Sequence, residues 1–219
     1  MHRADVVLVH GGFLGPWIWE DVAGILRNAG VRAHLVDLPS VGQLKGFEDD
    51  VRAVREAVEQ AGAPVVCGHS YAGAVITEAV REAKHLVYLT AVVPDVGESL
   101  VNLSDDGAAE EPVTVNADGS MTLDPAGAVA MLFHDCARVR AWDAVHRLRP
   151  ANAATGHHAV TRAAWRELPC TYVRGLYDRL DEVVAPDFWL TADVREIPTG
   201  HCPQWSRPDL VANVLLDLA

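Results

Sequence analysis

The amino-acid sequence predicts an α/β fold: a mainly parallel sheet flanked by helices, with a small segment inserted into it. Three observations carry that prediction. Short apolar runs rich in β-branched residues alternate with stretches of helical period, as βαβ units require. The run Leu86 to Ala91 is apolar nearly throughout, as suits a strand covered on both faces. The rhythm stops at Pro94 and returns only with Thr171. Residues 1–94 and 169–219 therefore read as the core, and 95–168 as an inserted cap or lid.

Taken in order, Val6 to Val9 is the first strand, broken by Gly11, Gly12, Gly15 and Pro16. Ile18, Val22, Ile25, Leu26 and Ala29 then fall at helical spacing, and Gly30 supplies a stop. Arg32 to Asp37 reads as the second strand. Phe47 to Gln60 reads as a helix, with Glu48, Asp49 and Asp50 in a first turn where the dipole favours anions, and Val51, Val54 and Val58 as its apolar stripe. Val65 to Gly68 is a strand, Tyr71 to Ala83 a helix and Leu86 to Ala91 a strand. Inside the insert, Val113 to Leu123 reads as a hairpin around Asp118-Gly119, and Ala126 to Cys136 as a helix. Thr171 to Gly175 and Val194 to Ile197 are further strands. Leu210, Val211, Val214, Leu215 and Leu218 mark a last helix.

Composition narrows the function. With 219 residues, 50% hydrophobic and 22% charged, the chain suits one decorated globular domain. Its 18 basic against 30 acidic side chains give a formal net charge of −12. That field repels phosphate backbones and anionic lipids, so neither nucleic acid nor a membrane is expected as partner. No apolar run is long enough for a membrane span, and Met1 to Gly12 lacks the pattern of a signal peptide. Cys67, Cys136, Cys170 and Cys202 show neither metal-site spacing nor disulfide-scaffold density. No metal and no cofactor are expected, and the expected compartment is a reducing cytoplasm.

Three stretches could carry chemistry. Gly68-His69-Ser70-Tyr71-Ala72-Gly73 lies between a predicted strand and a predicted helix. A serine lifted on that sharp turn needs small residues two positions to either side, which Gly68 and Ala72 provide, although glycine is commoner than Ala72. His10-Gly11-Gly12-Phe13 ends the first strand. Acyl transfer needs two amide donors about 3 Å from the developing oxyanion, and the amides of Gly12 and Tyr71 are the candidates. His10 itself reads as a hydrogen-bonding loop residue. Thr199-Gly200-His201 follows an apolar run, so His201 stands where a base could reach back to Ser70. The carboxylate such a base requires is Asp178 or Asp181. Spacing does not separate them, and Asp95 is a weaker third. Serine, then acid, then histidine is the order of the Ser…Asp…His arrangement.

At these residues the chain resembles the α/β-hydrolase superfamily. Within it, the chain is similar to the branch of small bacterial esterases, plant methyl-ester esterases of the salicylate-binding type and plant hydroxynitrile lyases. LVHGGFLGPWIWEDVAGILRNAG, VDLPS, VVCGHSYAGAVITEAV, HLVYLTAVVPDVGESL and TYVRGLYDR carry the resemblance. It implies Ser70 as nucleophile, His201 as base, and Gly12 and Tyr71 as oxyanion donors. Counted from the strand residues Tyr172-Val173, the family's acid falls on Asp178; counted back from Pro186, on Asp181. Strand counts are the safer guide, because loops absorb insertions. The hydroxynitrile lyases of this branch carry a lysine directly after the histidine. Cys202 stands there, which disfavours cyanide chemistry.

The function expected is a serine hydrolase that cleaves a small hydrophobic or aromatic carboxylic ester through an acyl-enzyme. Phe13, Leu14, Trp17, Tyr71, Leu103, Leu132, Phe133, Trp142 and Trp205 are candidates for the substrate pocket. Cyclisation, acyl transfer or lyase chemistry on the same scaffold remains open, as does a ligand-binding protein with a degenerate site. The oligomeric state is open too, a homodimer included.

Overall fold

In a computed structural model, which describes residues 4–103, 112–180 and 183–219, the core strands come in the expected order. They are β1 (Val6–Val9), β2 (Ala33–Val36), β3 (Val65–His69) and β4 (His85–Leu89), followed after the insert by β8 (Cys170–Gly175) and β9 (Asp193–Ile197). They form a six-stranded sheet in the order β2-β1-β3-β4-β8-β9, with every pairing parallel. Alternate residues face opposite layers. Val7, Val66, Tyr88 and Tyr172 pack on one side with α2 (Phe47–Ala61) and α3 (Ala72–Ala79). Leu8, Cys67, Val87 and Val173 pack on the other with α1 (Glu20–Asn28) and α8 (Pro208–Leu218). Trp19, Tyr88, Phe133, Trp165 and Phe188 are fully buried. Each such side chain contributes on the order of 1.5–3 kcal/mol of transfer free energy.

The register decides where the chemistry can be. Val9 pairs with Gly68, His69 with Leu89, Leu89 with Val173 and Gly175 with Ile197. The strands thus end together, and the loops carrying Gly12, Ser70, Asp178 and His201 leave from one edge. From β1 the chain runs outward to β2 and then crosses to β3 on the other side. That reversal of strand order opens a crevice at the carboxyl ends of β1 and β3, where doubly wound sheets bind ligands.

Two helices end earlier than their periodicity predicts. The helix expected over Tyr71 to Ala83 is α3, and it stops at Ala79. Its last carbonyls are taken by arginines: Arg55 donates to Ala79 and Glu78, and Arg162 to Val80. Cations there also suit the negative end of the helix dipole. The helix expected over Ala126 to Cys136 is α5 (Pro125–Leu132), started by Asp124, whose carboxylate accepts from the Gly127 amide at 2.9 Å. Beyond Leu132 the chain leaves the helix, because His134 and Asp135 are engaged by loops of the core.

Between β4 and β8 lie α4 (Leu100–Leu103), β5 (Val113–Val115), β6 (Ser120–Leu123), α5, α6 (Arg138–His146) and β7 (Ala151–Asn152). The hairpin around Asp118-Gly119 is β5–β6, and β7 completes a three-stranded antiparallel sheet. Periodicity did not predict α6, whose buried positions are the small Ala141 and Ala144. The small sheet is stitched to the loop after β2: Val41 bridges to Ala151, and Gly42 N donates to Pro150 O at 2.8 Å. A further short helix, α7 (Pro203–Ser206), follows the His201 loop.

Candidate active site

Ser70 sits between β3 and α3 with φ of 54°, a left-handed conformation that costs a non-glycine residue of order 1–2 kcal/mol. Close packing enforces it. A Cβ on Gly68 would come within 2.9 Å of the Ala72 carbonyl oxygen, and one on Gly73 within 2.1 Å of Val92 O. Ala72 is wholly buried, so its methyl fits where glycine is commoner. Phe13, at 62°, and Thr90, at 42°, are also left-handed. Strained backbone therefore follows the ends of β1, β3 and β4 together, the clustering that functional sites show.

The fold brings together the three residues expected to form a relay. His201 Nε2 lies 3.0 Å from Ser70 Oγ, and its Nδ1 lies 2.8 Å from Asp178 Oδ2. With the proton on Nδ1 donated to the carboxylate, Nε2 is free to accept from the serine hydroxyl. Asp178 is itself aimed, since its Oδ1 accepts from the Leu180 amide at 3.0 Å. The loop of Asp178 is zipped to that of His201: Leu176 N donates to Ile197 O and Tyr177 N to Thr199 O, each at 2.9 Å. Asp181 lies outside the described residues. Asp95 instead pairs with Arg166 across the base of the insert.

Gly11 reaches this group closely; a Cβ there would stand 2.8 Å from Ser70 Cβ. Gly12, the next residue, has open space beside its α-carbon. His10 is a hydrogen-bonding loop residue, with Nδ1–H donating to Gly11 O at 2.8 Å and Nε2 accepting from Leu38 N at 3.0 Å. The Tyr71 hydroxyl donates to Asp50 Oδ2 at 2.8 Å, and Asp50 Oδ1 accepts from Ser40 N at 2.8 Å. That buried network ties the residue after Ser70 to α2. Burial is the main influence on Asp50 and raises its carboxyl above the usual range.

Several residues at the site carried no assignment in the sequence. The carbonyl of His201 accepts from both His69 Nε2–H and Thr90 Oγ1, each at 2.8 Å. Burial, then the nearby His201 ring, holds the His69 pKa well below that of a free imidazole, so His69 sets no positive charge beside His201. Asp135 accepts from the Gly200 amide at 2.7 Å. Such contacts link positions 65 or more residues apart, and no local pattern announces them. Cys202 is fully buried, and burial pushes its thiol well above the ordinary value, so it is neither cation nor thiolate.

Of the pocket candidates, Leu14, Leu132, Phe133 and Trp205 belong to the core layer on the α1 and α8 side, with Trp17 packed against it, and Tyr71 belongs to the opposite layer. Phe13 is half-buried, and Leu14, Leu132 and Phe133 are buried. Leu103 is half-buried at the end of α4. Trp17 packs edge to face on Trp205, with centroids 5.2 Å apart. Trp142 stands at the surface of α6, tilted toward His146. Among the described residues no three His, Cys, Asp or Glu side chains are grouped to hold a metal ion. None of their helices is long and apolar enough to cross a membrane.

Comparison with known proteins agrees with this fold. The chain is 27% identical to the alpha/beta hydrolase nvfD of Aspergillus novofumigatus, across 100% of this chain and 98% of the relative. It is 38% identical to a carbendazim hydrolyzing esterase of Nocardioides, over 46% of this chain and 47% of that protein. An extracellular alpha/beta-hydrolase from a Paenibacillus species superposes with a TM-score of 0.85 at 17% identity, covering 99% of both chains. The sequence profile of the alpha/beta hydrolase family runs from residue 6 to residue 214, and the chain belongs to that family.

Proposed function

We propose that the protein is a serine hydrolase that cleaves a small hydrophobic or aromatic carboxylic ester through an acyl-enzyme. One observation carries the reading: the unbroken relay from Ser70 Oγ to His201 Nε2 at 3.0 Å and from His201 Nδ1 to Asp178 at 2.8 Å. Ser70 Oγ attacks the ester carbonyl as its proton passes to His201 Nε2. Asp178 holds the Nδ1 proton and stabilises the imidazolium that forms. The carbonyl oxygen becomes an oxyanion facing the amides of Gly12 and Tyr71, with the positive N-terminal end of α3 behind it. His201 then protonates the departing alkoxide, and the alcohol leaves. A water molecule, deprotonated by the same ring, hydrolyses the acyl-serine and regenerates Ser70.

In this reading the segment 95–168 acts as the cap. Support comes from its contacts with the catalytic loops: His134 Nε2–H donates to Tyr177 O at 2.8 Å, Asp135 accepts from Gly200 N, and Arg179 donates to Ala130 O at 3.0 Å. Phe13, Trp17, Leu132, Phe133 and Trp142 are the proposed apolar lining. The four free cysteines suit the reducing cytoplasm in which we place the protein. Esterase-named relatives, including the carbendazim esterase, support the reaction class.

The test is hydrolysis of a series of p-nitrophenyl esters of increasing acyl length, with the Ser70→Ala protein as control. Turnover that favours short or aromatic acyl groups and vanishes in the control is the expected result. Equal turnover by both proteins contradicts the proposal.

A further inference from the structure

The structure assigns to Arg149 the role of a positioning residue that holds the Gly12 loop in its oxyanion-binding conformation, an inference that rests on the serine-hydrolase reading. Arg149 follows α6 in the insert, yet it clamps the loop after β1 on two consecutive carbonyls. Its backbone N–H donates to Phe13 O at 2.8 Å, and its guanidinium donates to Leu14 O through Nε at 3.0 Å and Nη2 at 2.8 Å. The same guanidinium is anchored on Asp37, with Nη2 2.7 Å from Oδ1 and Nη1 3.3 Å from Oδ2, and it reaches His10 Nε2 at 3.4 Å.

A slot is built for it. A Cβ on Gly15 would lie 3.0 Å from Arg149 Nη2, and one on Gly42 3.3 Å from Arg149 Cδ. The backbone that follows Arg149 is fixed as well, by the bonds of Pro150 and Asn152 to Gly42 and Ser40. The loop needs such a clamp because Phe13, the residue after Gly12, is left-handed at 62°. A non-glycine residue held there relaxes unless its surroundings fix it. His10 holds Gly11 from the strand side, and Arg149 holds Phe13 and Leu14 from the insert side. The Gly12 amide lies between the two clamps, so its aim depends on both. A rotated donor loses the charge that matters only in the transition state, which affects kcat rather than ground-state binding.

The experiment compares wild type with Arg149→Met, Arg149→Lys and Asp37→Asn. It measures kcat and KM on p-nitrophenyl butyrate, and the affinity for a trifluoromethyl ketone, whose adduct with a serine bears an oxyanion, against that for the matching methyl ketone. Arg149→Met is expected to lower kcat about 10- to 100-fold. Trifluoromethyl ketone affinity falls by a similar factor, while KM and methyl ketone affinity change by less than about twofold. Arg149→Lys and Asp37→Asn give smaller losses of the same pattern, since lysine cannot fork between carbonyl and carboxylate. These two variants carry the test if Arg149→Met does not fold. Folded variants with kcat and trifluoromethyl ketone affinity unchanged, or with the whole loss in KM, overturn the assignment. A wild type that neither turns over the ester nor binds the trifluoromethyl ketone more tightly than the methyl ketone overturns the hydrolase reading and this assignment with it. An active wild type with indifferent variants overturns the assignment alone.

Discussion

The Thr90 hydroxyl donates to the backbone carbonyl of His201 at 2.8 Å, from a β-branched residue held at φ of 42°. A strained turn after β4 thus seats the proposed general base from behind, while the ring faces Ser70. Thr90→Val keeps the shape and removes the donor. We expect kcat to fall several-fold with KM nearly unchanged, and stability to drop by about 1 kcal/mol, the usual net loss for a buried hydrogen bond. Steady-state kinetics and urea denaturation check both. Unaltered kcat means that the His69 bond suffices to seat the ring.

Asp178 and Asp181 should respond very differently to amidation. Asn at 178 presents an amide to His201 Nδ1 and favours the wrong tautomer, an effect worth about 10⁴-fold in a serine triad. Asp178→Asn is therefore expected to lose nearly all ester turnover, and Asp181→Asn to stay within about fivefold of wild type. The reverse ranking transfers the acid role to Asp181.

The glycines around Ser70 make a steric prediction. Gly73→Ala puts a methyl carbon 2.1 Å from Val92 O, a backbone atom that cannot swing away. This variant should be unfolded or strongly destabilised, by more than about 3 kcal/mol, as overpacking against backbone is. Gly12→Ala meets nothing within 4 Å and should unfold within about 1 kcal/mol of wild type. Thermal melts of the two proteins decide it.

Arg166 Nε donates to Asp95 Oδ1 at 2.9 Å, joining the beginning of the insert to its end. That bond first, and the Val96 amide after it, lowers the Asp95 pKa below its ordinary value. A carboxyl with a depressed native pKa contributes stability that is whole above its unfolded value, near pH 4, and is lost as pH falls through the lower native value. Asp95→Asn should therefore be less stable than wild type at neutral pH, by at most about 1 kcal/mol for so exposed a pair. The gap should close in acid. Urea midpoints from about pH 7 down to about pH 3 test the sign. A gap that widens on acidification contradicts it.

How much of this was legible in the sequence follows from how local each signal is. Val6–Val9 and Val65–His69 are short buried strands whose apolar runs speak for themselves, and the motif from Gly68 to Gly73 names its own turn. The ends of α3 and α5 were not legible, because Arg55, Arg162, His134 and Asp135 end those helices through partners far along the chain. Nor was α6, whose core face is alanine and gives little contrast in period. At the site, the serine and histidine stood out by motif, whereas the two aspartates differed only in a loop count. Phe13 is an ordinary aromatic in the sequence; its left-handed backbone and the Arg149 clamp exist only once the insert folds back onto the loop after β1.

The central claim, that Ser70 is a nucleophile activated by His201, is tested most directly by covalent capture. Wild-type protein and the Ser70→Ala and His201→Ala variants are treated with a fluorophosphonate, and their intact masses are compared, followed by peptide mapping. The account predicts one stoichiometric phosphonyl adduct on the wild type, mapped to Ser70, none on Ser70→Ala, and labelling slowed at least about 10³-fold in His201→Ala. A folded wild type that takes up no label, or takes it up at a residue other than Ser70, contradicts it.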